Sequence, residues 1–106
     1  MTAATSPAVA LVVNPSAGKG RAAKQVAAVA GRLRDGGASV SILIGADAAD
    51  AIAVTRKAVA DGVDAVVALG GDGMVHLALN AVAGTQTPLG IIPAGTGNDL
   101  AATLGL

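Results

Sequence analysis

The stretch Val63-Asp64-Ala65-Val66-Val67-Ala68-Leu69-Gly70-Gly71-Asp72-Gly73-Met74 decides how the chain reads. An apolar run of strand length enters a cluster of glycines, and an amphipathic pattern begins at once. The order is strand, bare loop, helix start. Glycines let backbone N–H groups approach a bound group with no side chain between, and the following helix aims its unpaired donors at the same point. Such a loop is suited to an anion. Two more loops of this kind follow apolar runs: Val13-Asn14-Pro15-Ser16-Ala17-Gly18-Lys19-Gly20-Arg21 and Ile92-Pro93-Ala94-Gly95-Thr96-Gly97-Asn98-Asp99.

Working outward, Ala8 to Val13 is a continuous apolar run and reads as a buried strand. Arg21 to Asp35 follows as a helix with Val26, Val29, Ala30 and Leu33 on one face, ended by Gly36-Gly37. Ser39 to Ile44 is a second strand. From about Asp47 to Ala60, helical spacing sets Ala48, Ala51, Ile52, Thr55 and Val59 inward. Ala65 to Leu69 is the third strand, and Val75, Ala78, Leu79 and Val82 form the expected inward stripe of the third helix. Leu89 to Ile92 is the fourth strand. Asn98 or Asp99 suits the N-cap of a last helix, which has made barely two turns at Leu106. Residues 1 to 7 read as a disordered leader.

Strands alternating with helices predict βαβ units, and therefore a three-layer α/β/α domain with a parallel, Rossmann-like sheet. If the loops after the first and third strands serve one ligand, those strands are neighbours and the second lies outside the first. The predicted order is 2-1-3-4, with the switch point between strands one and three.

The 106 residues make one domain at most, burying roughly two-thirds of the surface exposed by the unfolded chain. Hydrophobic residues are 53% of the chain, yet none is Phe, Trp or Tyr. Val, Ile, Leu and Ala must fill the core, and no base can stack on an aromatic ring. Formal net charge is zero, so a basic nucleic-acid surface is not indicated. Lys19, Arg21 and Lys24 nonetheless cluster at one loop, and no Lys or Arg follows Lys57. The lack of Cys removes disulfides, thiolate chemistry and Cys-based zinc sites, and fits a reducing, cytoplasmic compartment. No apolar run approaches the ~18 residues of a transmembrane helix.

Gly18-Lys19-Gly20 lacks the upstream Gly and following hydroxyl of a P-loop. Gly18-Lys19-Gly20-Arg21-Ala22-Ala23 does fit the dinucleotide fingerprint, but Asn-Pro-Ser-Ala separates it from the strand and no acidic residue ends strand two. An NAD(H)-binding domain of an oxidoreductase thus stays a rival reading, one that leaves the other two loops unexplained.

Asn14-Pro15-Ser16-Ala17-Gly18-Lys19-Gly20, Gly70-Gly71-Asp72-Gly73 and Pro93-Ala94-Gly95-Thr96-Gly97-Asn98-Asp99, taken together and in this order, resemble the three nucleotide-site motifs of the diacylglycerol kinase catalytic family. That family includes bacterial lipid kinases and sphingosine kinases. NAD kinases and phosphofructokinases share only the Gly-Gly-Asp-Gly element. The resemblance implies the N-terminal part of the NAD kinase/diacylglycerol kinase-like fold. Residues 8–106 would be its ATP-binding subdomain, with a C-terminal β-rich domain absent and the isolated chain inactive. It also implies an ATP- and Mg²⁺-dependent kinase that transfers the γ-phosphate to a lipid hydroxyl. Expected partners are ATP and a lipid acceptor rather than nucleic acid, with peripheral membrane contact at the inner face and a homodimer as further expectations.

The sequence departs from the family pattern in places. Where members commonly carry Thr and then Asn-Glu, this chain has Met74, His76 and Leu77, and Ala102 replaces an Arg. All seven acidic residues are Asp, so no Glu substitutes. These departures motivate a second rival, a non-catalytic nucleotide-binding module.

Asp72 is the candidate catalytic residue. It would act beside the triphosphate through metal-bound water or accept a proton from the substrate hydroxyl, against the alternative of supporting a Gly-rich turn. The candidate nucleotide contacts are Asn14, Ser16, Gly18, Lys19, Gly20, Arg21, Gly70, Gly71, Gly73, Met74, Gly95, Thr96, Gly97 and Asn98. Asn14 has an Asx turn as its competing role, and Lys19 and Arg21 a solvated helix start. Asp99 reads as an N-cap, and the lone His76, expected in the first turn of the third helix, as a half-exposed structural residue.

Overall fold

A computed structural model describes residues 6–14 and 20–93, and within the first helix the side chains of residues 20–22 are outside that description. Seven elements alternate along it. They are β1 (Ala8–Val13), α1 (Gly20–Asp35), β2 (Ser39–Ile44), α2 (Ala48–Ala60), β3 (Ala65–Gly70), α3 (Asp72–Val82) and β4 (Leu89–Pro93). The strands form one all-parallel sheet in the order β2-β1-β3-β4, as predicted. In register, Val13 sits between Ile44 and Leu69, so the ends of β1, β2 and β3 are level. The final helix expected from Asn98 or Asp99 lies outside the described residues.

β1 is buried along nearly its whole length because it is central and covered on both faces. Its alternation divides the core. Leu11 and Val13 join Leu69 and Ile92 beneath Val26, Val29 and Ala30 of α1. Ala10 and Val12 join Val66 and Ala68 beneath Ala51 of α2 and Met74, Leu77 and Ala78 of α3. β2, at the sheet edge, leaves Ile42 and Ile44 exposed.

Two of the three helix-to-strand turns share one solution. After α1, Gly37 N–H donates to the Arg34 carbonyl and Ala38 N–H to that of Leu33; after α2, Gly62 N–H donates to Val59 and Val63 N–H to Ala58. These are Schellman closures around a left-handed glycine, with φ of 102° at Gly37 and 99° at Gly62. The strand starts are tied as well: Ala8 N–H donates to the Asp64 carboxylate at 2.6 Å, and Asp64 N–H returns a bond to the Ala8 carbonyl at 2.7 Å. Ser39 N–H donates to the Pro7 carbonyl.

One inward stripe differs from expectation. α3 buries Met74, Leu77, Ala78 and Ala81, while Val75 and Val82 are half-buried and Leu79 is 49% exposed. Both stripes have helical spacing and lie one residue, about 100°, apart. The choice falls to the angle at which the chain leaves β3, and to α2, against which α3 also packs. Ala48 is likewise exposed, because it opens α2 beyond the sheet. The α1 stripe holds, with Leu33 half-buried at its end.

Candidate functional site

The carboxyl ends of β1, β2 and β3 meet at one edge of the sheet, where Asn14 follows β1, Asp47 precedes α2 and Gly71 precedes α3. A cavity of about 460 Å³ opens there, lined by Asn14, Asp47, Ala48, Ala51, Gly71, Gly73, Met74 and Leu77. Ligands of open parallel sheets bind outside the strand ends at the switch point, and this cavity is at that point.

The glycines of the β3–α3 turn fall into two kinds. Gly70 has a φ of +153°, and a Cβ there would stand 2.5 Å from Cγ and 3.0 Å from Cβ of Met74. The fold itself demands glycine at Gly70. Gly71 has an ordinary φ of −97°, Gly73 lies in the first turn of α3, and a Cβ on either would meet nothing within 4 Å. Neither packing nor backbone conformation explains those two glycines.

The start of α3 is open in the same direction. Gly71 is the N-cap, makes no side-chain cap bond, and accepts through its carbonyl from Met74 N–H at 3.0 Å and Val75 N–H at 3.2 Å. The N–H groups of Asp72 and Gly73 make no hydrogen bond among the described residues. Unpaired donors at a helix N-terminus carry partial positive charge, which an anion completes. Asp72 is exposed at the first helical position, and its carboxylate forms no ion pair or hydrogen bond among the described residues.

α2 begins differently. Asp47 caps it by accepting from Asp50 N–H at 2.8 Å, and Asp50 reaches back to accept from Ala46 N–H at 2.8 Å. This is a reciprocal cap of carboxylates, which also suits the helix dipole. Gly45 just before it is enforced by packing, since a Cβ would collide with the backbone of Ala51.

Of the candidate residues from the sequence, Asn14, Gly71, Gly73 and Met74 come together around the cavity, with Gly70 and Asp72 adjoining in the same turn. Met74 contributes a side chain only 6% exposed, and its backbone N–H is committed to Gly71. Gly20 and Arg21 lie in the first turn of α1. Ser16, Gly18, Lys19, Gly95, Thr96, Gly97 and Asn98 lie outside the described residues, as does Asp99. His76 is exposed and one turn further into α3 than expected. Sequence reasoning missed Asp47, Ala48, Ala51 and Leu77 as cavity residues. Asp47 marked only a helix boundary, and the others were core or stripe positions.

Comparison with known proteins agrees with this fold. Residues 8–106 match the family model described as the diacylglycerol kinase catalytic domain. A diacylglycerol kinase of Mycobacterium tuberculosis is 49% identical over 98 residues, covering 92% of this chain and 32% of that protein. A Klebsiella pneumoniae protein named "Probable lipid kinase YegS-like" is 34% identical over 104 residues, covering 96% and 34%. The crystal structure of a diacylglycerol kinase from Bacillus anthracis superposes with a TM-score of 0.66 at 33% identity, covering 92% of this chain and 36% of that one. The chain therefore spans about a third of the length of the curated relatives it matches. With the family model matched over residues 8–106, from β1 onward, the chain belongs to the diacylglycerol kinase catalytic-domain family.

Proposed function

We propose that this chain is the nucleotide-binding part of an ATP-dependent lipid kinase, which transfers the γ-phosphoryl group of ATP to a lipid hydroxyl. The observation that carries the reading is the pair of glycines, Gly71 and Gly73, that the described packing does not require, beside two N–H groups at the start of α3 that have no partner among the described residues. A phosphate approaching these donors needs the space a Cβ would fill.

The residues present fit ATP and Mg²⁺. Backbone donors of Asp72 and Gly73 would receive phosphate oxygens, with Asn14 across the cavity. Lys19 and Arg21, the cationic part of the first loop in the sequence, would add charge neutralisation. Mg²⁺ is usually held by one or two carboxylates together with substrate phosphates, a role open to Asp72. Bound Mg·ATP supplies the electrophilic γ-phosphorus and the charge neutralisation that phosphoryl transfer depends on. In this reading Asp72 takes or orients the proton of the acceptor hydroxyl. The lipid acceptor, peripheral contact with the inner face of a membrane, cytoplasmic placement and a homodimer belong to the same proposal. Among the described residues no helix is long and apolar enough to cross a membrane.

The test is a titration of the ¹⁵N-labelled chain with Mg·ATP and separately with NAD, following amide shifts. The reading expects ATP alone to shift Gly71 and Gly73 together with Gly18, Gly20, Gly95 and Gly97. A response to NAD confined to Gly18 through Ala23 would replace it with a dinucleotide-binding domain.

A further inference from the structure

β2 is an edge strand without the usual protections, and among the described residues no strand pairs with its outer side. From Gly36 to Ala46 the sequence holds no charged residue and no Pro. β2 matches β1 residue for residue from Ser39 to Ile44, so no bulge turns the edge away. Open edges are ordinarily blunted by one of these devices. The opposite edge, β4, contains Gly90 and ends on Pro93, which has no N–H to offer. The backbone of β2 faces two ways in alternation. Ser39 N–H donates to the Pro7 carbonyl ahead of β1, so the main-chain groups of Ser39, Ser41 and Leu43 point to β1 and those of Val40, Ile42 and Ile44 to the open side. The Val40 carbonyl accepts from Arg34 Nη2 at 3.2 Å, in keeping with that direction. The same three residues share a face of the sheet. Val40 packs against the α1 cluster, and period-two alternation sets Ile42 and Ile44 beside it, where they are 39% and 49% exposed.

We propose that β2 pairs edge to edge with β2 of a second copy of this chain, antiparallel about a two-fold axis at Ile42, so that one sheet runs through the dimer. The proposal rests on the homodimer included in the reading above and gives it a surface. Symmetry about Ile42 sets Ile42 against its own copy and Val40 against Ile44. All three have outward main-chain groups, so each pair exchanges both of its N–H···O bonds. Their side chains lie on one face, and the exposed isoleucines of the two copies cover one another there as cross-strand β-branched pairs. On the other face α2 packs over β1 and β2. The two-fold axis makes the two copies of α2 antiparallel, which sets the Asp50 end of each beside the Lys57 end of the other. Lys57 and Asp61 form the α2 wall of a groove of about 350 Å³ whose β2 wall is Ser41 and Leu43, so these charges stand on the flank that faces the edge. Charge and helix dipole are both complementary in that arrangement. Any extended peptide could satisfy the β2 backbone, but a second copy also supplies the matching isoleucines and the reversed α2 charges. Such an isologous contact closes at two copies. Strand pairing alone buries less than the ~1,200 Å² of a standard interface, so the dimer is of the weak, concentration-dependent class.

The experiment is sedimentation equilibrium of the chain from roughly 10 μM to 1 mM, with amide hydrogen exchange of the ¹⁵N-labelled chain followed over the same range. The mass is expected to rise from monomer to dimer and to stop there. Exchange at Ile42 and Ile44 should slow several-fold between the dilute and concentrated samples, whereas Ser41 and Leu43, bonded to β1, should be protected in both. Ile42→Lys and Ile44→Lys each replace an exposed side chain, so the variants should fold with the Tm of the parent. Each puts charge into the paired face and should leave a monomer at every concentration. Ile91→Lys alters an equally exposed residue on β4 and should dimerise as the parent does. A monomer throughout, or exchange at Ile42 and Ile44 that ignores concentration, would overturn the proposal. So would a dimer that survives both β2 substitutions, one that Ile91→Lys disperses, or growth past two copies. The Mg·ATP shifts at Gly71 and Gly73 test nucleotide binding separately, so either result can fail while the other stands.

Discussion

Replacing Gly73 with Ala separates the needs of the fold from those of a ligand. Gly73 is in the first turn of α3 without a positive φ, and a Cβ added there meets no atom within 4 Å. On structural grounds alone the substitution should help. Glycine loses more backbone entropy on folding than alanine, and a compatible Gly→Ala change stabilises by about 0.4–1 kcal/mol. For a domain of this size that corresponds to a rise in Tm of roughly 2–8 °C. Thermal unfolding followed by far-UV circular dichroism reads this directly, and suits a chain with no Trp, Tyr or Phe. The same methyl group would stand where the α3 donors meet phosphate, so Mg·ATP affinity should fall by at least about ten-fold, the equivalent of ~1.4 kcal/mol. Stability and binding are therefore expected to move in opposite directions. A variant that is more stable and binds ATP as the parent does would refute the assignment of Gly73 to a ligand. A loss of stability would show that the fold itself needs glycine there.

Gly70→Ala should do the reverse, losing about 1–3 kcal/mol, because its Cβ would press on Cγ and Cβ of Met74 near the root of that side chain and at a φ of +153°; chemical denaturation measures it. Leu11→Ala, in a central strand with no exposed surface, should cost about 3 kcal/mol and lower the denaturant midpoint without altering which ligands bind. In a full-length kinase carrying this segment, Asp72→Asn should abolish phosphoryl transfer to lipid while leaving Tm nearly unchanged, since the carboxylate makes no structural bond among the described residues. Near-normal turnover would remove Asp72 from the chemistry.

The elements were legible because their signals are local. Continuous apolar runs at Ala8–Val13 and Ala65–Leu69 mark strands buried on both faces, and Gly36-Gly37 and Asp61-Gly62 mark where helices close. Sheet order followed from one further inference, that the loops after β1 and β3 share a ligand, and parallel crossovers leave few alternatives once those strands are neighbours. The orientation of α3 was not legible. Val75-Ala78-Leu79-Val82 and Met74-Leu77-Ala78-Ala81 are equally periodic, and a periodic pattern does not say which stripe the sheet covers when both are apolar.

The sequence by itself determined the fold class, the family motifs and the bare glycine turn between β3 and α3. Each rests on residues adjacent in the chain, where spacing and backbone freedom act directly. Only the tertiary structure separated Gly70, which packing against Met74 and a positive φ enforce, from Gly71 and Gly73, which nothing among the described residues explains. It also set Asp47 and Ala48 of α2 opposite Met74 and Leu77 of α3 around one cavity. Those residues are more than twenty positions apart, and their meeting depends on how two helices pack on one face of a sheet, which no local pattern encodes.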